Sequence, residues 1–544
     1  MAGCRKIGIR EKKSGFTAVK DDPPLVIGFD TEYVAVRGKS EVPEQGEAPY
    51  DFESEDSIGF KPFNEVLSYQ FFASQGGGQS WKGIGYTDRR GKWGLGGGRS
   101  NRITLSDFLE WVFSEGIGHD SKMIFPKQIY LIGHFTLADL PAFTNFGDMK
   151  NLIDAVRKTF ITTFKGTKVQ LEDYRGSKRE VTVNFRDSLL LAPEGKASLD
   201  DIGEIVGYRK LKVDQFYKEH MDQFLLDAPK KFEEYGIRDA EICVKYAERI
   251  MEQTEGITGR RYIPPTLSSL GVEHLTNTWK EHDINPSEVL GTELVNEYQW
   301  NKKEHRTFKS RVRVPIDIRF IHENLAIECY HGGRNEQYFF GPGDEDDWVD
   351  YDLRSAYTTA MSIIGTPLWN DIYSSRDISD FLDPSVMGFA LVEFDFQEKT
   401  LFPCLPVRCN AGILYPMKGR SCCCTPEIAL AKEMGATVEI LHGIILPDDK
   451  AVSPFKEFIT STLNHRNKAK DEGNKFEDLF WKQIGNSCYG KLAQGLKKKR
   501  CFNTRSGQMK TLPESKITNP FLAAYITSMV RATLSEVLSK LPNK

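Results

Sequence analysis

Cysteine is scarce and shows no pairing pattern. The ten cysteines in 544 residues include no C-x-x-C spacing, which argues for reduced thiols and against a disulfide framework. Cys422, Cys423 and Cys424 are adjacent, and neighbouring cysteines rarely furnish one tetrahedral site; with no histidine cluster following, they are expected on a buried or half-buried strand rather than at a metal. No apolar run is expected to reach the length of a bilayer span, and the start Met-Ala-Gly-Cys-Arg-Lys lacks the apolar core of a signal peptide. The expected location is therefore the cytosol, bacterial or of an infected host cell, with no membrane partner. Excess charge is also missing: 72 basic against 76 acidic residues leave a net charge of −4. A uniformly basic nucleic-acid binder is thus excluded, although charge can still be concentrated locally.

The composition present is that of an ordinary folded protein, with 40% hydrophobic and 27% charged residues. A chain this long should form several domains, because single cores stop growing at shorter lengths. Basic residues bunch at Lys302, Lys303, Arg306, Lys309, Arg311 and Arg313, and again at Lys497, Lys498, Lys499 and Arg500. Each bunch reads either as a nucleic-acid contact or as a solvated charged face.

Residues 25–33 form a buried-strand pattern ending in acids, with Asp30 and Glu32 two apart and hence on one face. Like charges so placed are costly unless a cation joins them. A strand at 65–72, a helix at 104–115, a strand at 129–135 leading to Asp139, a strand at 181–188 and a capping box at Ser198 follow. Residues 35–60 and 74–102 read as loops around the sheet. Tyr235 and Asp239 stand at i and i+4 of a helix over 235–253, so both reach one place. Strands alternating with helices predict an α/β domain.

In the second half, residues 349–357 read as a short strand that delivers Asp352 into a turn and then a helix carrying Tyr357. A carboxylate there can hold a divalent metal, the amides after it can face a triphosphate, and the aromatic can close a sugar pocket. Downstream, Lys482, Asn486 and Tyr489 fall at i, i+4 and i+7 of one helix, so a phosphate-neutralising lysine shares a face with an aromatic. Around them the pattern predicts strands at 387–396 and 437–446, helices at 266–279 and 426–434, helices at 455–470 and 475–494 joined by a short turn, and a last helix at 521–541.

Together, D-x-x-S-x-Y at Asp352 to Tyr357 and K-x-x-x-N-S-x-Y-G at Lys482 to Gly490 resemble motifs A and B of the family B DNA polymerases, closest to the protein-primed and organellar–viral branch. The first motif departs at Ala356 and Thr358, packing positions where the family has leucine and proline. The resemblance extends over nearly the whole chain. Asp30, Glu32, Asp139 and Asp239, with Tyr235, resemble the family's DEDD 3′–5′ exonuclease, and Lys212 its lysine at the scissile phosphate. His134 stands where that domain often has asparagine, as a donor to the primer end. Tyr330-His331-Gly332-Gly333-Arg334 resembles the family's Y-x-G-G element that touches template, with Tyr330, Gly332, Gly333 and Arg334 as DNA contacts. The resemblance further implies Arg466, Lys470, Lys482, Asn486, Tyr357 and Tyr489 around the nucleotide. Asp30, Glu32, Asp139 and Asp239 would hold one pair of Mg²⁺ or Mn²⁺ ions, and Asp352 would belong to a second pair.

The implied architecture is multi-domain α/β and α+β: a loose N-terminus (1–24), an RNase H-like exonuclease (25–260), a template-contacting linker (261–345), an incomplete palm (346–450), helical fingers (451–500) and a palm helix (501–544). Motif C, the Y-x-D-T-D hairpin that follows this helix in the family, is not present. The expectation is a truncated chain, or one subunit of a split polymerase whose second polypeptide supplies motif C and the thumb. The other implied partners are primer–template DNA, deoxynucleoside triphosphates and a terminal protein primer. A stand-alone exonuclease and a non-catalytic nucleic-acid scaffold are the competing readings.

Overall fold

The computed structural model describes residues 23–35, 64–76, 78–87, 102–119, 125–144, 155–157, 160–162, 166–172, 177–301, 305–338, 340–343, 349–410, 412–496, 500–503, 508–511 and 514–541. Lys302, Lys303 and Lys497 to Lys499 lie outside these residues, as does almost all of the expected N-terminal segment. The chain divides into two compact units: Met1–Asp154 with Thr159–Ser188 and Arg209–Ala247, and Ala155–Lys158 with Leu189–Tyr208 and Glu248–Lys544. The first unit thus ends before the boundary at 260 read from the sequence, and residues 189–208 cluster with the second.

The first unit is built on a six-stranded mixed sheet, in the order Gln79–Tyr86, Asn64–Gln75, Leu25–Ala35, Gln128–Gly133, Lys178–Asp187 and Thr167–Glu172. The three strands at 25–35, 128–133 and 178–187 run parallel. Odd positions of the 25–35 strand enter an aromatic core, where Phe29 meets Phe108 of the Leu105–His119 helix. Even positions face the Pro229–Thr258 helix. Gly28 is what lets that helix close: a methyl group there would collide with the Ala240 carbonyl. One strand was hidden in a stretch read as loop. Gly83 in Gln79–Tyr86 leaves room for the Phe71 ring, and its glycines mask the alternation that otherwise marks a strand.

The second unit holds a four-stranded antiparallel sheet, in the order Tyr373–Ser374, Thr437–Leu446, Met387–Asp395 and Lys418–Cys424. The cysteine triplet ends the last of these, with Cys423 and Cys424 buried. Helices Lys456–Asp471 and Lys475–Leu492 form a hairpin. Helix Leu267–Glu281, capped by Thr266, packs on the second of them where Gly271 approaches Ser487. Helix Pro520–Ser539 is long and apolar enough by length and composition to cross a bilayer, contrary to the expectation above. Its window is 61% buried inside the protein, and the Arg531 side chain within it is fully enclosed with Glu427 at 2.8 Å, so it is a core helix.

The expected strand before Asp352 does not form. Residues 349–353 are unpaired, and Val349 and Tyr351 are exposed, because no described strand lies alongside to take up their ladder bonds. The basic run to Arg313, read as linker, is instead a two-stranded ribbon, Thr292–Asn301 against Arg306–Pro315.

Candidate active sites

In the first unit the parallel strands end at one edge, and the acids gather there. Asp30 and Glu32 share the helix-facing side of their strand. Asp139 comes from the short helix Thr136–Asp139 that follows the 128–133 strand. Asp187 closes the 178–187 strand and is fully buried; it accepts from Phe135 N at 3.1 Å, Thr136 N at 2.9 Å and Thr136 Oγ1 at 2.9 Å. Those bonds hold Phe135 in the left-handed region, φ 62°, and so fix the turn that presents Asp139. Asp139 Oδ1 accepts from Thr31 N at 3.2 Å and Thr31 Oγ1 at 2.7 Å. Tyr235 and Asp239 stand one turn apart on the long helix.

Burial is the first cause of the electrostatics here, and mutual repulsion adds to it. Desolvation, then the charges of Glu32, Asp139 and Asp239, hold the Asp30 carboxyl well above its ordinary range. Desolvation and Asp239 push Glu32 up to about 8, and desolvation pushes Asp139 up to about 7 against its Thr31 bonds. The cation among them is Lys210, whose ammonium lies 2.5 Å from Asp239 Oδ2 and 5.0 Å from the Tyr235 ring centroid. The expected lysine, Lys212, is exposed. Two lysines two apart on an extended segment carry the same sequence signal, and only packing chooses between them. His134 is half-buried, 2.8 Å from Ser188 Oγ through Nδ1, and burial lowers it to about 4, so it is neutral at neutral pH. Among the described residues no three of these acids already converge at metal-binding distance. The fit to divalent ions is therefore one of donor chemistry: repelling carboxylates, with both Asp139 bonds on a single oxygen, are a set that a cation relieves.

In the second unit the two sequence stretches meet. The Tyr357 ring stacks on Tyr489 with centroids 4.0 Å apart and planes 7° from parallel. The Tyr330-to-Arg334 loop lies against this stack: a methyl group on Gly333 would press on the Tyr357 hydroxyl, and Gly332 takes φ 83°. Asp352 is exposed on the extended segment before Ser355, which itself adopts a left-handed φ of 55° at the start of helix Ala356–Ser362. Lys482 and Lys470 are exposed and Asn486 is half-buried.

Two expected ligand-binding arginines are occupied internally. Arg334 is buried; it pairs with Glu336, donates to Ser535 Oγ at 2.7 Å and lies 4.0 Å over the Tyr415 ring. It therefore anchors its loop instead of forking a phosphate. Arg466 pairs with Asp478 at 2.8 Å across the helical hairpin. The loop carbonyl of Gly332 accepts from Arg531 Nη1 at 2.6 Å, so the backbone there is held by a buried cation. Arg531, Asp187 and Lys210 escaped the sequence reading. Of these Asp187 had a signal, an acid ending a buried strand as Asp30 does.

Residues 319–529 match the family described as DNA polymerase type B, organellar and viral. The primer-independent DNA polymerase PolB of Escherichia coli is 34% identical over 556 residues, covering 97% of this chain and 60% of that protein. The DNA-directed DNA polymerase of Enterobacteria phage PRD1 is 26% identical over 165 residues, 30% of this chain and 28% of that protein. This chain thus spans less than two thirds of the length of either relative. Among solved structures, phi29 DNA polymerase complexed with primer-template DNA and incoming nucleotide substrates matches at a TM-score of 0.53 and 14% identity, covering 95% of this chain and 77% of that one. Phi29 DNA polymerase complexed with single-stranded DNA matches at 0.52 and 13%, with the same coverage. At such identities the likeness is one of fold.

Proposed function

The chain belongs, through residues 319–529, to the type B DNA polymerases of the organellar and viral kind, and from that premise we propose that it is a DNA-directed DNA polymerase with its own 3′–5′ exonuclease. The observation that carries the reading is the Tyr357–Tyr489 stack, which makes one aromatic pocket of two stretches far apart in sequence.

In that pocket Tyr357 lies under the sugar and excludes a 2′-hydroxyl, while Tyr489 packs on the base. Lys482, one helical face with Asn486 and Tyr489, neutralises the triphosphate as a point charge. Asp352 supplies one carboxylate. In the first unit Asp30, Glu32, Asp139 and Asp239 would hold divalent ions, Mg²⁺ or Mn²⁺, which when bound supply an activated water and stabilise the leaving 3′-oxygen. Tyr235 orients that water, and Lys210, paired with Asp239, meets the scissile phosphate.

Nucleotidyl transfer by a pair of ions needs a further carboxylate beside Asp352. We assign it to polypeptide outside the described residues, either in continuation of this chain or on a second subunit carrying an acidic hairpin and thumb.

The test is primer extension on a 5′-labelled primer–template with Mg²⁺ and deoxynucleotides, with an unprimed arm because the Escherichia coli relative is called primer-independent. The 544-residue chain should shorten primers and extend them only when the complementing polypeptide is added. Extension by the chain alone would assign the second acid to this sequence, with Asp350 the first candidate. Neither shortening nor extension under any of these conditions would leave a DNA-binding scaffold.

A further inference from the structure

The ribbon Thr292–Asn301 and Arg306–Pro315 has two chemically opposite faces, and the polymerase reading places it in the template-contacting stretch 261–345 without saying which strand of DNA, or which face of the ribbon, is involved. In an antiparallel pair, residues opposite one another share a face and alternate positions along a strand share it too. The register pairs Trp300 with Thr307, Tyr298 with Lys309, Asn296 with Arg311 and Leu294 with Arg313. One face therefore carries Trp300, Tyr298, Leu294, Lys309, Arg311 and Arg313 with no carboxylate among them. The other carries Glu293, Glu297, Phe308 and the half-buried Val295, Val312 and Val314, with Arg306 lying 4.3 Å over the Phe308 ring.

The cationic face is open. Tyr298, Trp300 and Leu294 are 65%, 58% and 54% exposed, a large apolar area to leave uncovered on one face of a paired ribbon. The ribbon is anchored at its base, where Arg313 donates to Ser287 Oγ at 2.8 Å and Thr292 Oγ1 at 3.0 Å, and where Gly291 packs on Trp369. Farther out Lys309 lies 5.9 Å from the Tyr298 ring centroid, a cation held against an aromatic face.

We propose that this face binds single-stranded DNA, its aromatics stacking on unpaired bases and its cations following the phosphates. This rests on the polymerase reading, which makes DNA the substrate, and adds a site to it. Aromatic platforms interleaved with cations are the sequence-tolerant means of holding a single strand. Successive face positions stand about 6.8 Å apart along a strand, twice the rise of about 3.4 Å between stacked bases, which suits splayed bases and not an intact duplex. The absence of carboxylates on this face, against two on the other, selects a polyanion over a protein surface of mixed charge.

The test is fluorescence anisotropy of a 5′-fluorescein oligo(dT) 20-mer with the full chain in EDTA, so that nothing is digested. The variant Tyr298→Ala/Trp300→Ala should bind about tenfold or more weakly, the loss expected of about one stacked base. Lys309→Gln/Arg311→Gln should lower both affinity and the salt slope, the latter by about 1.4, because each phosphate that a cation neutralises on a single strand contributes about 0.7. Glu293→Gln, on the far face, should bind as the wild type does. A blunt duplex should compete poorly with wild type. Unchanged binding by the aromatic double variant, with its thermal melt also unchanged, overturns the proposal, as does a duplex that competes as well as the single strand. Hydrolysis of the p-nitrophenyl ester of thymidine 5′-monophosphate with Mg²⁺ separates the two ideas. A substrate of one nucleotide does not need the ribbon, so the variants should cleave it like wild type; if the wild type fails to cleave it, the exonuclease reading fails while the anisotropy result still judges the ribbon.

Discussion

The carboxyls of Asp30, Glu32 and Asp139 are raised first by burial and then by neighbouring carboxylates, Asp239 among them in each case, and this sets how the metal-free protein responds to pH. In the unfolded chain these acids ionise near their ordinary values; in the fold Glu32 holds its proton to about 8 and Asp139 to about 7. Between the two values the folded state binds more protons, so stability falls as pH rises. The melting temperature of the metal-free protein should therefore drop between about pH 5 and pH 8, and Mg²⁺ should restore more of it at pH 8 than at pH 5. A melting temperature that is flat or rising over this range without metal would contradict the buried-cluster account. At this scale the grouping of the acids was legible, because D-x-E on a strand and Y-x-x-x-D on a helix fix which side chains share a face. The cation was not, because Lys210 and Lys212 are equivalent until the chain is packed. Arg334 misled for a related reason: a guanidinium suits a phosphate or the Ser535, Glu336 and Tyr415 cage equally well, and only burial decides.

Among the elements, the long helix Pro229–Thr258 and the strand Leu25–Ala35 depend on a missing side chain. Gly28→Ala would drive a methyl into the Ala240 carbonyl and Val244. Because the obstacle is largely backbone, the helix has to shift, and the cost should reach about 3 kcal/mol, the upper part of what overpacking usually costs. It should also displace Asp239 from Asp30. Chemical denaturation of the variant should show that loss and a nuclease assay the lost activity, whereas Gly490→Ala, exposed within helix Lys475–Leu492 and meeting nothing within 4 Å, should keep stability or raise it by up to about 1 kcal/mol. A stable, active Gly28→Ala variant would mean that the helix does not set the acids. Elements with strong periodicity, such as the helical hairpin at 456–492 and the strands at 387–395 and 437–446, were readable from sequence. The ribbon was not, because its two strands put their apolar residues on opposite faces, Tyr298 and Trp300 with the cations and Val312 and Val314 with the carboxylates, so no shared apolar side marks the pair. The segment before Asp352 has the composition of a strand, but a strand also needs a neighbour, and no pattern within the segment reports that.

Across the whole molecule, Asp30, Glu32, Asp139 and Asp239 belong to one compact unit and the Tyr357–Tyr489 stack to the other. The central claim is that the first set of acids cleaves DNA from a 3′ end. The most direct measurement is the product ladder from a 5′-labelled single strand incubated with Mg²⁺ and either the wild-type chain or Asp30→Ala/Glu32→Ala, with DNA binding measured alongside. The account predicts stepwise shortening by the wild type that EDTA stops. It predicts loss of shortening by at least about a thousandfold in the double variant, since removing a required catalytic group typically costs that much. Binding should stay near wild type, because the proposed role of these acids is to hold metal and not the strand. Shortening that persists in the double variant, or that disappears together with binding, would contradict it.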